Sequence, residues 1–416
     1  MLNTADTMNI EYPKLYRVRQ HLEKHCIVDV RTEVYKQMDK LGISDGLKGK
    51  SIAITAGSRG ICNIDSIIKS LVDYVWEHGG KPFIVPAMGS HGGATAEGQT
   101  EVLKGYGITE ETMGCPIRSS METVYLGETE NGAPVYFDKI AYESDGVIVC
   151  NRVKPHTDFS ADNESGIVKM IAIGLGKEKG CSSMHAHGLA KTISLSAKIS
   201  LEKAPILCGL AIVENSCDQT YLLEGVKREN FIEEDARLLK LSKELVPHLP
   251  DNDIDLLIVK EIGKMYSGTG MDTKVIGRIK VRGEKEPDGP DAKMLVALRM
   301  NEHSYGNALG IGLADITTKA LVDKIDRQSM YSNLIATTFL ERGKIPVYFD
   351  TEKESIEKAM TVLMRQGDVK RIIIVENTLQ IETMIVSEDI YRAHEDRLER
   401  LEDVHMIFDA DGRLSI

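Results

Sequence analysis

Short apolar, β-branched runs recur along the chain, and stretches with helical spacing of apolar residues lie between them. The runs are SIAITAG (51–57), PFIVPAM (82–88), GVIVC (146–150), PILCGLAIV (205–213), DLLIVKEIG (255–263) and RIIIVEN (371–377). This alternation of strand and helix patterns predicts an α/β architecture. Between the first two runs, IDSIIKSLVDYVWEHGG (64–80) places Ile64, Ile67, Ile68, Leu71, Val72 and Val75 on one helical face and ends in Gly79-Gly80. That spacing predicts an amphipathic helix covering a sheet, capped by the glycines.

The pattern breaks at KELVPHLPDNDID (243–255), where two prolines and four acidic residues separate a charged helix from a fresh apolar strand. A domain junction is expected near residue 250. The expected organisation is two α/β domains, 1–250 and 251–395, with the active site in the cleft between them. The tail 396–416 is expected to begin as a charged helix, end as a short strand and dock on either domain. The polar stretch 282–293 reads as an exposed loop inside the second domain.

Composition narrows the function. A chain of 416 residues with 42% hydrophobic content is long enough for two cores. With 51 basic against 63 acidic residues, a formal charge of −12 and no long Lys/Arg run, nucleic acid is not an expected partner. No segment approaches the ~20 uninterrupted apolar residues of a membrane span, and the N-terminus has no export pattern. The seven cysteines are scattered without C-x-x-C spacing, against both a disulfide framework and a structural zinc site. A soluble cytoplasmic protein is expected.

Reactive residues concentrate where the predicted strands end, the usual place for ligands in open α/β sheets. ITAGSRGI (54–61) resembles a dinucleotide-binding turn but lacks the final glycine at Cys62. It offers Arg59, suited to phosphate or carboxylate, at the mouth of a helix. PAMGSHGGAT (86–95) sets His91 among glycines that let a ligand approach the backbone. Residues 151–188 hold His156, Lys169, His185 and His187. Lys169 lies in the apolar run GIVKMIAIGLG, where burial lowers an amine pKa and favours nucleophilicity. His185 and His187 stand two apart on a helix and point in different directions, so one of them is a metal ligand at most. EIGKMYSGTGMDTK (261–274), a glycine-rich turn in the second domain, carries Lys264 and Lys274.

Taken in order, an arginine in a strand-end turn, GSHG, Pro-His, Ser-Gly-x-x-Lys and a histidine sixteen residues later, these motifs resemble the nickel-dependent lactate racemase family. The match is good over residues 50–190 and looser to about 385. The resemblance implies racemisation or epimerisation of a small-molecule 2-hydroxy acid. It also implies a nickel-pincer nucleotide cofactor, a pyridinium mononucleotide carrying two thiocarbonyl groups and nickel. It assigns Lys169, with Ser58, Ser165 and Gly166, to the cofactor, and His185, or else His187, to nickel. His91 and His156 become the histidines that exchange the substrate's hydroxyl proton, Arg59 an anion-binding arginine, and Lys264 or Lys274 the substrate-holding lysine. Two departures stand out. Ala56 replaces an acidic residue that several members use for the ribose, and the segment between His156 and Lys169 is about three residues longer, with Asp158, Asp162 and Glu164. The competing expectations are a nicotinamide-dependent oxidoreductase, which the incomplete glycine turn and a missing Tyr-x-x-x-Lys pair oppose, and a non-catalytic nickel or nucleotide carrier.

Overall fold

The structure, a computed structural model, describes residues 10–58 and 60–416, the Ala336 side chain excepted. The chain divides into two compact units, Glu23–Val246 and the residues up to Leu22 together with Pro247–Ile416. It opens with β1 (Leu15–Gln20), which belongs to the second unit. The first unit carries β2 (Ser51–Ala56), β3 (Lys81–Pro86), β6 (Gly146–Arg152), β7 (Ile206–Glu214) and β8 (Thr220–Lys227) in one sheet, ordered β3-β2-β6-β7-β8. It also has a separate hairpin of β4 (Thr123–Glu128) and β5 (Pro134–Asp138).

In this sheet β2 is parallel to both β3 and β6, β6 is parallel to β7, and β8 returns antiparallel. Strand β2 is buried from Ile52 to Ala56, which explains its unbroken apolar run. The helix Ile64–Glu77 follows and buries Ile64, Ile67, Ile68, Leu71, Val72 and Val75, the residues its spacing selected. Each large side chain contributes roughly 1.5–3 kcal/mol on burial. The helix ends at His78, and Gly79 takes a left-handed φ of 75° that a side chain would resist. From β2 the chain goes first to β3 on one side and later to β6 on the other. The sheet therefore has a switch point at the carboxyl ends of β2 and β6, where connections diverge and leave room for a ligand.

The second unit is built on an eight-stranded sheet of β1, β9 (Asp253–Ile262), β10 (Asp291–Met300), β11 (Ile316–Thr318), β12 (Val347–Phe349), β13 (Ile372–Val375), β14 (Thr383–Ser387) and β15 (Leu398–Val404). Its order is β12-β11-β10-β9-β13-β14-β1-β15. Two expectations are corrected here. The N-terminal segment does not join the first unit, because β1 pairs antiparallel with β14 on one side and β15 on the other. The charged run that was expected to start the tail as a helix is strand β15. Only Leu398 and Val404 are buried in it, and its charges pair across the strands, Arg17 with Glu402 at 2.6 Å and Arg19 with Glu399 at 3.2 Å. The polar run 282–293 is loop up to Asp291, where β10 begins. No helix among the described residues is long and apolar enough to cross a membrane.

Candidate active site

At the switch point the backbone is stripped of side chains. A Cβ on Gly57, just beyond β2, would come within 3.3 Å of Met170 Cε and 3.6 Å of Asn151 Oδ1 at the end of β6. Asn151 Nδ2 donates to the Gly166 carbonyl at 2.8 Å, tying β6 to the turn that carries Lys169. Ser165 exchanges backbone hydrogen bonds with Lys154 at 2.7 and 3.2 Å. Ser58, Gly57, Asn151 and the 165–169 turn thus share the carboxyl end of the β2/β6 pair. Arg59 lies outside the described residues.

His91 follows β3 in a loop of left-handed glycines. Gly89 has φ 59°, and a Cβ there would meet Ile173 Cγ2 at 3.3 Å; Gly92 has φ 65°, and a Cβ there would strike the Gly98–Gln99 backbone at 2.6 Å. The histidine is exposed, and its Nδ1 is hydrogen-bonded to Ser58 Oγ. On the far side of β2, His156 follows β6 and is half-buried. Its ring stacks on the buried Phe159, with centroids 4.5 Å apart, and its Nδ1 accepts from the Asp158 backbone at 3.2 Å. The added carboxylate Glu164 organises this longer loop. Almost wholly buried, it accepts from the backbone N–H groups of His156 at 2.6 Å and Ala161 at 3.2 Å, and pairs with Lys243 at 2.6 Å.

Lys169 ends the single helical turn Ile167–Lys169. Ile167, Val168, Met170 and Ile171 turn into the core and leave Lys169 half-buried. The buried Asp235 holds the start of this turn, accepting from Val168 N at 3.2 Å and Asn163 Nδ2 at 3.0 Å. Burial pushes its carboxyl up to about 6 against those hydrogen bonds. Gly166 is obligatory here, since a Cβ would lie 1.9 Å from Asp235 Oδ2. A π-helical turn, Met170–Gly174, follows, a feature often found at functional sites.

The chain then enters helix Lys177–Ala186, which carries His185. One turn earlier, Cys181 lies 3.6 Å from Ser90 Oγ in the His91 loop. Burial raises the Cys181 thiol, but hydrogen bonds from His185 and Ser90 outweigh it and hold the thiol below its usual range. His185 is thus coupled to the helix face that meets the His91 loop. His187 instead donates from Nδ1 to the Ser183 carbonyl at 2.9 Å, capping its own helix.

In the second unit Lys264 Nζ donates to the Gly268 carbonyl at 2.7 Å and Asn333 Oδ1 at 2.8 Å, and burial lowers its pKa. Lys274, half-buried, sits in the short helix Thr273–Ile276, whose N-cap is Asp272. Asn151, Gln99, Lys177 and Asp235 were not apparent from the sequence. Each acts through contacts that only the fold creates and resembles an ordinary polar residue in its local context.

Residues 27–196 match the family model of the lactate racemase N-terminal domain. Across the solved structures, the lactate racemase apoprotein of Thermoanaerobacterium thermosaccharolyticum is similar in fold, with a TM-score of 0.52 and 11% identity over 88% of this chain and 98% of that one. A protein from Thermotoga maritima aligns with a TM-score of 0.47 and 16% identity over 67% of this chain and 72% of that one. No curated protein sequence matches. Residues 27–196 of the chain are thus similar to the lactate racemase N-terminal domain.

Proposed function

We propose that the protein is a racemase or epimerase acting at C2 of a 2-hydroxy acid, with a nickel-pincer nucleotide as its cofactor. The observation that carries this reading is the placement of His91 and His156 after β3 and β6, the two strands that flank β2 at the switch point. A reaction that must treat both faces of one carbon alike needs a proton-exchanging group on each side, and imidazole titrates in the right range.

The residues fit such a cofactor. Among the described residues no group of three or more His, Cys, Asp or Glu side chains is placed to hold a metal alone, so a metal here would have to bring its own donors. A pincer does so and asks the protein for one imidazole, which His185 would supply. Ser58 at the end of β2, with Ser165, Gly166 and Lys169 in the turn tied to β6 through Asn151, would hold its nucleotide. When bound, the group supplies an electrophilic acceptor for hydride, which a side chain cannot offer.

The protein's own residues do the rest. His91 and His156 take the hydroxyl proton from one enantiomer and return it to the other. Arg59 is the cation proposed to anchor the carboxylate, so that the flattened keto acid keeps its position while either face is reduced. The test is an inversion screen of aliphatic, dicarboxylic, aromatic and sugar-derived 2-hydroxy acids with cofactor-loaded protein. Inversion of at least one is expected. Nickel-loaded protein that inverts none is a carrier, and a nicotinamide absorbance change with substrate marks an oxidoreductase.

A further inference from the structure

Lys177 is wholly buried, although it stands beside exposed Glu178 and Lys179 in a charged, glycine-flanked stretch. Its backbone has φ 55°, a left-handed conformation that a non-glycine residue adopts only when the surroundings enforce it. Nζ pairs with the equally buried Asp138 Oδ2 at 3.0 Å, donates to Gln99 Oε1 at 3.2 Å, and donates to the Pro86 carbonyl at the end of β3. Asp138, the last residue of β5, also accepts from Ala141 N at 2.8 Å. A buried ion pair is costly to desolvate and is weak evidence for stability, so this one invites another explanation.

The explanation is in Gln99. With its oxygen taken by Lys177, its amide is oriented to donate from Nε2 to the Gly89 carbonyl at 2.9 Å and the His91 carbonyl at 3.3 Å. Gln99 is fully buried. Reversing the amide would set an NH₂ against the ammonium and an oxygen against two carbonyls.

We propose that the Lys177–Asp138 pair, acting through Gln99, is the positioning device for His91. It fixes the loop that carries the imidazole without touching substrate. This inference rests on the proposed role of His91, but its structural half is independent of it. A loop of three left-handed glycines has large conformational entropy to lose, and a 1 Å displacement of a proton-exchanging group is enough to slow a reaction.

The test uses full-length protein and two variants. Gln99→Glu keeps an acceptor for Lys177 but replaces the donor with a carboxylate that repels the Gly89 and His91 carbonyls. The double variant Lys177→Met/Asp138→Asn removes both buried charges together, so neither is left unpaired. Amide hydrogen exchange at Gly89 and His91, whose N–H groups bond to Gly174 O at 3.2 Å and Met88 O at 3.1 Å, is read in cofactor-free protein. We expect exchange at least ~10-fold faster in both variants, at unchanged secondary structure. In loaded enzyme kcat should fall at least ~10-fold with KM within about twofold. Unchanged exchange in either folded variant overturns the proposal, as does accelerated exchange with undiminished kcat. If the wild type inverts no 2-hydroxy acid, exchange alone decides the positioning role, and only the reading of His91 as a catalyst fails.

Discussion

Ser58 and His91, 33 residues apart in the chain, are joined by a hydrogen bond between the serine Oγ and the imidazole Nδ1. Ser58 is itself held by Tyr106, whose hydroxyl donates to the Ser58 carbonyl at 2.7 Å. The bond connects the end of β2 to the loop after β3, orients the ring and biases its tautomer. Ser58→Ala should lower kcat about tenfold and shift the His91 titration in a histidine-resolved NMR experiment, while Ser58→Thr should retain most of both. Wild-type behaviour of the alanine variant would show that the contact is incidental.

The two histidines that flank β2 should be required to a similar degree. His91→Ala and His156→Ala are each expected to lose at least ~10²-fold in inversion rate, with circular dichroism and nickel content unchanged. If one proves dispensable, a different group serves that face, and Asp158 and Lys154 are the neighbours of His156 to replace next.

Protein made alongside the cofactor-synthesis enzymes should carry about one nickel and one mononucleotide per chain by metal analysis and intact mass. His185→Ala should lose the nickel and His187→Ala should keep most of it, because His187 is engaged in capping its own helix. The opposite pattern would move the metal ligand by two residues.

Asp235 gives a pH dependence of defined sign. Its carboxyl titrates near 6 in the folded protein and near ~3.9 when unfolded, so the folded state binds the proton more tightly. The resulting stabilisation is complete below about pH 4 and disappears as pH rises through about 6. The stability of the wild type relative to Asp235→Asn should therefore fall by roughly 2–3 kcal/mol between pH 4 and pH 7 in urea titrations. A difference that does not vary with pH would mean that Asp235 is ionised throughout.

What could be read from the sequence follows from how local each signal is. The strands buried in the middle of each sheet, such as β2, β6 and β9, announce themselves as unbroken apolar runs. The helix Ile64–Glu77 does so through its spacing. Strands at or near sheet margins do not. β15 hides under a charge pattern that equally suits a helix, and β1 reaches its place between β14 and β15 from more than 360 residues away, as its Tyr16–Glu388 contact shows. Among candidate site residues, glycine-flanked His91 and the lysine in an apolar run stood out because their neighbours were unusual. Lys177 had no such signal. Its partners Asp138 and Gln99 are 39 and 78 residues away, and only folding reveals that its charge is buried.

The central claim is that hydrogen leaves C2 as hydride and returns to the same carbon, and the fate of that hydrogen tests it most directly. Inversion of one enantiomer in D₂O should give product with almost no deuterium at C2, and substrate deuterated at C2 should keep its label through inversion. An imidazole acting on carbon would exchange its proton with solvent between the two half-reactions. Deuterium entering C2 from D₂O, or the label washing out of C2-deuterated substrate, would contradict hydride transfer, and with it the strongest reason for assigning a nickel-pincer nucleotide to Lys169 and His185.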